Sequence, residues 1–196
     1  MNEDTRAAER RIMVWNQRVD GNIRASGIPK YTRGRKLADL TLTEGNRKAV
    51  GLVKLFLEEQ VTPPLLLIIG VPGVGKTTLA YMVAWPYLED GSTVAYFQTE
   101  DLLNELQAAL MDGREFGRLW ARLKEADLVI LDDLGAQNRT PWRDSQLDAL
   151  VDYRYRKRLP LVMTANKVDI SERILDRVRE GQSVMITGES WRGKNK

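Results

Sequence analysis

The fold class this sequence predicts is an α/β domain with a parallel sheet and a phosphate-binding turn after its first strand. Three observations predict it. Leu65-Leu66-Leu67-Ile68-Ile69 is an apolar run without alternation, which suits a strand buried on both faces. Gly70-Val71-Pro72-Gly73-Val74-Gly75-Lys76-Thr77 follows it directly and fits the pattern G-x-x-x-x-G-K-[ST] in full. Short apolar runs then alternate with longer helical patterns, which implies right-handed crossovers and ligands at the carboxyl ends of the strands.

Bulk properties narrow the chemistry. A chain of 196 residues, 43% apolar, suits one domain with a short extension. It has no cysteine and no histidine, which excludes disulfides, thiolate or imidazole metal sites and the commonest general base. Any metal must be a hard cation held by oxygen, and Mg²⁺ on a nucleotide fits. No apolar run reaches membrane-span length and the N-terminus is charged, so the expectation is a cytoplasmic chain without a membrane partner. The net charge of +3 is uneven: residues 1 to 36 hold nine Lys/Arg against four Asp/Glu, and the remainder holds 21 against 23. The basic end faces an acidic partner, or is simply a solvated helix.

In chain order, Ala8, Ile12, Trp15 and Val19 recur at helical spacing among Arg6, Arg10, Arg11 and Arg18, predicting an amphipathic helix over Glu3 to Val19. Residues 20 to 36, with Gly21, Gly27, Pro29 and Gly34, read as a linker or clamp without regular structure. A helix runs from Thr43, a plausible cap, to about Gln60 before Pro63-Pro64. The helix after the phosphate turn extends to about Leu88, and Asp90-Gly91 turns into a strand over Thr93 to Gln98. Helices follow over Asp101 to Leu110 and Arg114 to Glu125, then a strand over Leu128 to Leu131. A helix over Arg143 to Arg158, a strand over Leu161 to Thr164, a short helix over Ser171 to Arg179 and a strand over Ser183 to Thr187 complete a five-stranded sheet.

Each residue type in the turn has a physical task. Gly70, Gly73 and Gly75 let backbone N–H groups and a helix N-terminus approach a polyphosphate, with Val71, Pro72, Val74 and Thr78 completing the cradle. Lys76 reaches the β- and γ-phosphates, and Thr77 offers its hydroxyl to Mg²⁺. The strand Leu128 to Leu131 ends in Asp132-Asp133, a Walker B pattern in which Asp132 holds Mg²⁺ through its water shell and Asp133 orients or deprotonates the attacking water. Asp132-Asp133-Leu134-Gly135 and Asn166-Lys167-Val168-Asp169 also spell the D-x-x-G and N-K-x-D of GTPases. Only one helix separates them, so the strand before Asn166 directly succeeds the one before Asp132, and Asn166 is expected beside the γ-phosphate as a sensor.

Further strings carry a family likeness: Gly27-Ile28-Pro29 with Tyr31, Tyr96-Phe97 with Asp101-Leu102-Leu103, Thr140-Pro141-Trp142, Tyr153-Arg154-Tyr155, Thr164-Ala165-Asn166, Arg173 to Val178 and Ser190-Trp191-Arg192. With the phosphate turn and the paired aspartates, this order resembles the AAA+ ATPases of the DnaC/DnaI helicase-loader and IstB transposition-helper group. The resemblance implies a P-loop NTPase of AAA+ type using ATP and Mg²⁺, with hydrolysis dependent on self-association through ATPase interfaces. Arg177 matches the arginine finger that reaches a neighbour's nucleotide, and Arg192 the sensor 2 arginine. Lys76, Asp132, Asp133, Asn166, Arg177 and Arg192 are thus the expected catalytic set. Single-stranded DNA is expected near Phe97, Arg139, Trp142 and Arg143, although Trp142 equally suits a helix cap.

Two units follow: residues 1–26, a basic helix and linker for partner docking, and residues 27–196, the ATPase domain. The chain departs from the family at Leu40, often an aromatic there. Only four residues follow Arg192, so a helical lid is expected to be lacking, and the short N-terminal helix stands where loaders carry a larger helicase-binding domain. The resulting expectation is an ATP-hydrolysing loader of a replicative hexameric DNA helicase, with a transposition helper as the alternative. A P-loop GTPase or small-molecule kinase is a third class, with no arginine-rich lid pattern to favour the kinase.

Overall fold

The computed structural model describes residues 3–136, 138–167 and 169–190. Five strands form one sheet in the order β2-β3-β4-β1-β5, every pair parallel. They are β1 (Leu65–Gly70), β2 (Val94–Gln98), β3 (Leu128–Leu134), β4 (Leu161–Ala165) and β5 (Gln182–Ile186). The unbroken apolar run makes β1 a central strand because both of its faces are covered: Leu66 and Ile68 join one core, Leu65, Leu67 and Ile69 the other.

The first core lies under α1 (Glu3–Ala25), α2 (Glu44–Leu57) and α3 (Lys76–Glu89), where Val53, Phe56, Val83 and Trp85 pack on the sheet. The second lies under α4 (Thr99–Ala108), α5 (Gly113–Glu125), α6 (Pro141–Lys157) and α7 (Glu172–Glu180), filled by Leu102, Leu106, Leu123, Leu150 and Ile174. Local chemistry sets the helix ends. Thr43 and Asn46 cap α2 reciprocally, Thr140 caps α6 with Pro141 in its first turn, and Ser171 caps α7. Arg158, at φ 52°, closes α6 two residues before Pro160.

The N-terminal segment differs from expectation. Helix α1 continues through Gly21 to Ala25 because Val19 and Ile23 are buried against α3 and β2, and the Asn22 side-chain amide donates to the carbonyls of Gly91 and Ser92 at 2.9 and 3.2 Å. Residues 6–18 are exposed, Ile12, Met13 and Val14 among them. The expected irregular linker holds two 3-10 turns, Lys30–Thr32 and Leu37–Asp39, and is anchored where the Trp85 indole N–H donates to Thr32 at 3.0 Å. It is therefore part of the domain surface rather than a tether.

Strand β3 runs three residues past its expected end. Its pairing with β4 shifts register between Leu131 and Leu134, and Asp133 takes a left-handed φ of 58°. A non-glycine residue in that region is costly by about 1–3 kcal/mol and is held only by its surroundings.

Candidate nucleotide and metal site

The phosphate turn joins β1 to α3 at the carboxyl edge of the sheet. Gly73 and Gly75 adopt φ of 87° and 100°, the left-handed region open to glycine. Gly70 has a different reason: a Cβ there would come within 2.7 Å of the Ile186 carbonyl oxygen on β5. Lys76, first in α3, is only 7% exposed, and its Nζ donates to the carbonyls of Gly70 at 2.7 Å and Val71 at 3.1 Å and to Asn166 Oδ1 at 2.9 Å. A buried ammonium needs such acceptors around it, and a polyphosphate in the turn is a stronger acceptor than a neutral carbonyl.

Asp132, 2% exposed, lies beside this group. The Thr77 hydroxyl donates to both of its carboxylate oxygens at 3.0 and 2.9 Å, the Tyr96 hydroxyl to Oδ2 at 2.9 Å, and the Thr164 hydroxyl to Oδ1. Thr99 Oγ1 donates to the Asp132 backbone carbonyl at 2.9 Å. The bend at Asp133 turns its side chain toward β4: Asn166 Nδ2 donates to Asp133 Oδ1 at 2.6 Å, and the Asp133 N–H donates to Thr164 Oγ1 at 2.9 Å. Asn166 thus touches Lys76 through one amide atom and Asp133 through the other.

These groups line an open cleft of about 900 Å³ that also includes Arg35, Asp39, Leu40 and Thr41 from the N-terminal segment. Thr77 and Asp132 suit a hard cation, being oxygen donors already in contact. Among the described residues no cluster of three or more acidic side chains forms a metal cage. That donor set fits Mg²⁺, which takes its remaining oxygens from phosphate and water.

The other predicted residues lie elsewhere. Arg177 on α7 pairs with Asp152 at 3.1 Å, its guanidinium 4.6 Å from the Tyr155 ring centre. It lines a separate groove of about 950 Å³ between α5, α6 and α7, with Trp120, Asp148 and Arg173. Arg192 lies outside the described residues. The DNA-contact residues do not form one exposed surface. Phe97 is 7% exposed in the second core with the Arg122 guanidinium 4.7 Å above its ring, and Arg143 is 9% exposed, bonded to Glu100 and Asn104 at 2.8 and 2.6 Å. Trp142 is half-buried against the same core, and Arg139 is exposed but paired with Asp144 at 3.0 Å. As placed, neither the Phe97 ring nor the Arg143 guanidinium is open to a strand, because the helices after β2 and β3 cover both.

The guanine-reading alternative also fails on placement. Strands β3 and β4 are direct neighbours, and Asp169 pairs with Lys167 and Arg139 beside α6 and α7 rather than lining the cleft. Sequence reasoning missed Tyr96, Thr99 and Thr164 around Asp132. For Thr99 and Thr164 the signal was a hydroxyl near or just beyond the end of an apolar strand, whereas Tyr96 lies mid-strand in β2 and carried no such mark.

Comparison with known proteins agrees with this fold. A family model for IstB-like ATP binding protein matches residues 56–196. The chain is 31% identical over 185 residues to the uncharacterized protein YdaV of Escherichia coli (strain K12), covering 89% of this chain and 75% of that protein. It is 25% identical over 161 residues to the replicative helicase loader DnaC of the same organism, covering 77% of this chain and 66% of DnaC. It is 34% identical over 102 residues to a putative insertion sequence ATP-binding protein of Sinorhizobium fredii, covering 52% of this chain and 34% of that protein. Solved structures of the DnaC helicase loader and of DnaI share the fold at a TM-score of 0.70 each, with identities of 21% and 24%. The matches cover 81% and 83% of this chain and 100% and 96% of those chains.

Proposed function

The chain belongs to the IstB-like ATP binding protein family, within the IstB/DnaC type of AAA+ ATPases, and from that premise we propose that it is an ATP-hydrolysing loader of a replicative DNA helicase. One observation carries the ATPase part. The Lys76 ammonium and the Asp133 carboxylate are joined through Asn166, while Thr77 and Asp132 stand in contact, so the tips of β1, β3 and β4 bring these five residues to one cleft. Lys76 and the turn hold the phosphates. Asp133, fixed by Asn166, accepts a proton from the attacking water, and Asn166 senses the γ-phosphate. Thr77 and Asp132 would hold Mg²⁺, which when bound would neutralise charge on the phosphate oxygens.

Arg177 lies in a groove away from its own cleft, which suits a guanidinium presented to the nucleotide of a second copy. Hydrolysis then depends on assembly. Arg192 completes the proposed set. The exposed first half of α1, basic and apolar, is the surface offered to the helicase, and single-stranded DNA is the second partner.

The transposition helper is the second reading, favoured by the family description and by the Sinorhizobium relative. Purified chain mixed with the host replicative helicase, ATP and forked DNA separates the two. Loading requires a stable complex and ATP-dependent stimulation of unwinding. Absence of a complex with helicase, together with capture of a transposase, overturns the loader reading.

A further inference from the structure

Asp132 is gripped from three sides, and only one donor, Thr77, belongs to the phosphate turn. Another is Tyr96 on β2, the edge strand beside β3. The Tyr96 hydroxyl donates to Asp132 Oδ2 at 2.9 Å and accepts from the Tyr81 hydroxyl at 3.2 Å, so its single proton is committed to the carboxylate. Burial raises its pKa far above the ordinary 10.0, so it stays a donor throughout the physiological range. The backbone is pinned as well. Tyr96 N–H donates to the Ser26 carbonyl at 2.8 Å, and a Cβ on Gly27 would come within 2.6 Å of the Tyr96 carbonyl oxygen. Residues just after α1 therefore lock the outer edge of the strand that carries this hydroxyl.

We propose that Tyr96 is a positioning residue for the Mg²⁺·ATP site, setting the rotation of the Asp132 carboxylate through its hydroxyl. The proposal rests on the reading of Asp132 given under the proposed function. A Thr77 hydroxyl that turned an oxygen lone pair to a cation would keep its proton on Asp132, while Tyr96 and Thr164 hold the carboxylate from the other side, one on each oxygen. Loss of the Tyr96 hydroxyl would leave Oδ2 with the Thr77 hydroxyl but without its donor from β2, so the carboxylate would be less fixed against rotation. Outer donors of this kind change metal affinity by roughly 10- to 100-fold.

The test is equilibrium binding of a fluorescent ATP analogue to the full chain, titrated with Mg²⁺ and repeated in EDTA, for wild type, Tyr96→Phe and Tyr81→Phe. Tyr96→Phe is expected to need about 10-fold more Mg²⁺ for half-maximal tight binding, with affinity in EDTA unchanged. Tyr81→Phe, which leaves the Tyr96–Asp132 bond in place, is expected to match wild type. An unchanged Mg²⁺ requirement in Tyr96→Phe, or equal shifts in both variants, overturns the proposal. If Tyr96→Phe does not fold, 3-fluorotyrosine at position 96 keeps the ring and hydroxyl. Its ¹⁹F resonance must then move when Mg²⁺ is added to the ATP-bound chain, and a fixed resonance refutes the role. Failure of all three chains to bind nucleotide with or without Mg²⁺ overturns the site reading itself, an outcome distinct from the preceding ones.

Discussion

Lys76 Nζ and Asn166 Oδ1 meet at 2.9 Å although 90 residues separate them in the chain. The contact exists because β4 lies directly between β1 and β3, so the residue after its last strand position reaches both the phosphate turn and Asp133. A cation, an amide and a carboxylate in series form a charge-assisted row at the edge of the cleft.

Lys76→Ala removes the only side-chain cation of the phosphate turn. ATP binding or turnover is expected to be abolished, with turnover lower by roughly 100-fold or more. Asn166→Ala is expected to keep ATP affinity within a few-fold and to lower turnover by a similar factor, because Asp133 loses the donor at 2.6 Å that orients it. Nucleotide binding and steady-state phosphate release on both variants check the pair of expectations.

Arg177→Ala is expected to spare ATP binding and to lower turnover by roughly 1,000-fold, the scale of an arginine finger. Turnover of the wild type should rise more steeply than linearly with protein concentration, and that curvature should vanish in the variant. Turnover of Arg177→Ala equal to wild type refutes a finger acting between copies.

Removal of residues 1–18 takes away the exposed half of α1 while leaving Val19 and Ile23 in the core. ATP binding should persist and helicase association should be lost. Co-purification of the truncated chain with the helicase refutes the docking role of this helix.

Arg154 is fully buried and donates to the carbonyls of Leu123, Ala126 and Pro160 at 2.8, 3.0 and 2.8 Å, tying α6 to the starts of β3 and β4. Burial pushes its pKa down to about 10, so it remains charged at neutral pH. Arg154→Leu leaves three buried carbonyls without this partner and is expected to cost about 3 kcal/mol. The check is the urea midpoint, which should fall at constant slope.

Alkaline stability should report Tyr96. Its folded pKa is raised above the ordinary 10.0 by burial, so near and above that pH the folded chain holds a proton that the unfolded chain releases. Stability from this group is full below pH 10 and falls as pH rises beyond it. Tyr96→Phe is expected to flatten the loss of thermal midpoint between about pH 9 and about pH 11. Tyr81 and Tyr87, also raised by burial, leave a remaining slope in the same direction.

Much of this was legible in the chain. The phosphate turn is contiguous, so its geometry follows from glycine placement and the strand before it, and Asp132-Asp133 is marked by the apolar run Leu128 to Leu131 that it follows. The extra turns of α1 were not legible, because Gly21 and the basic residues around it look like a break until α3 and β2 bury Val19 and Ile23. Arg143 read as a phosphate contact for the same reason. Its partner Glu100 lies 43 residues away on α4, and no local pattern announces a pairing of that length.

By itself, the order of residues determined the alternation of strand and helix, the phosphate cradle with its lysine and threonine, and the carboxylates that follow an apolar strand, since each depends on neighbours a few positions apart. Tertiary structure alone decided which hydroxyls surround Asp132, which arginines are buried and where Asn166 reaches. The contacts of Asp132, Asp133 and Asn166 join residues 31 to 90 positions apart, and they form only after parallel pairing has set β3 between β2 and β4 and β4 beside β1.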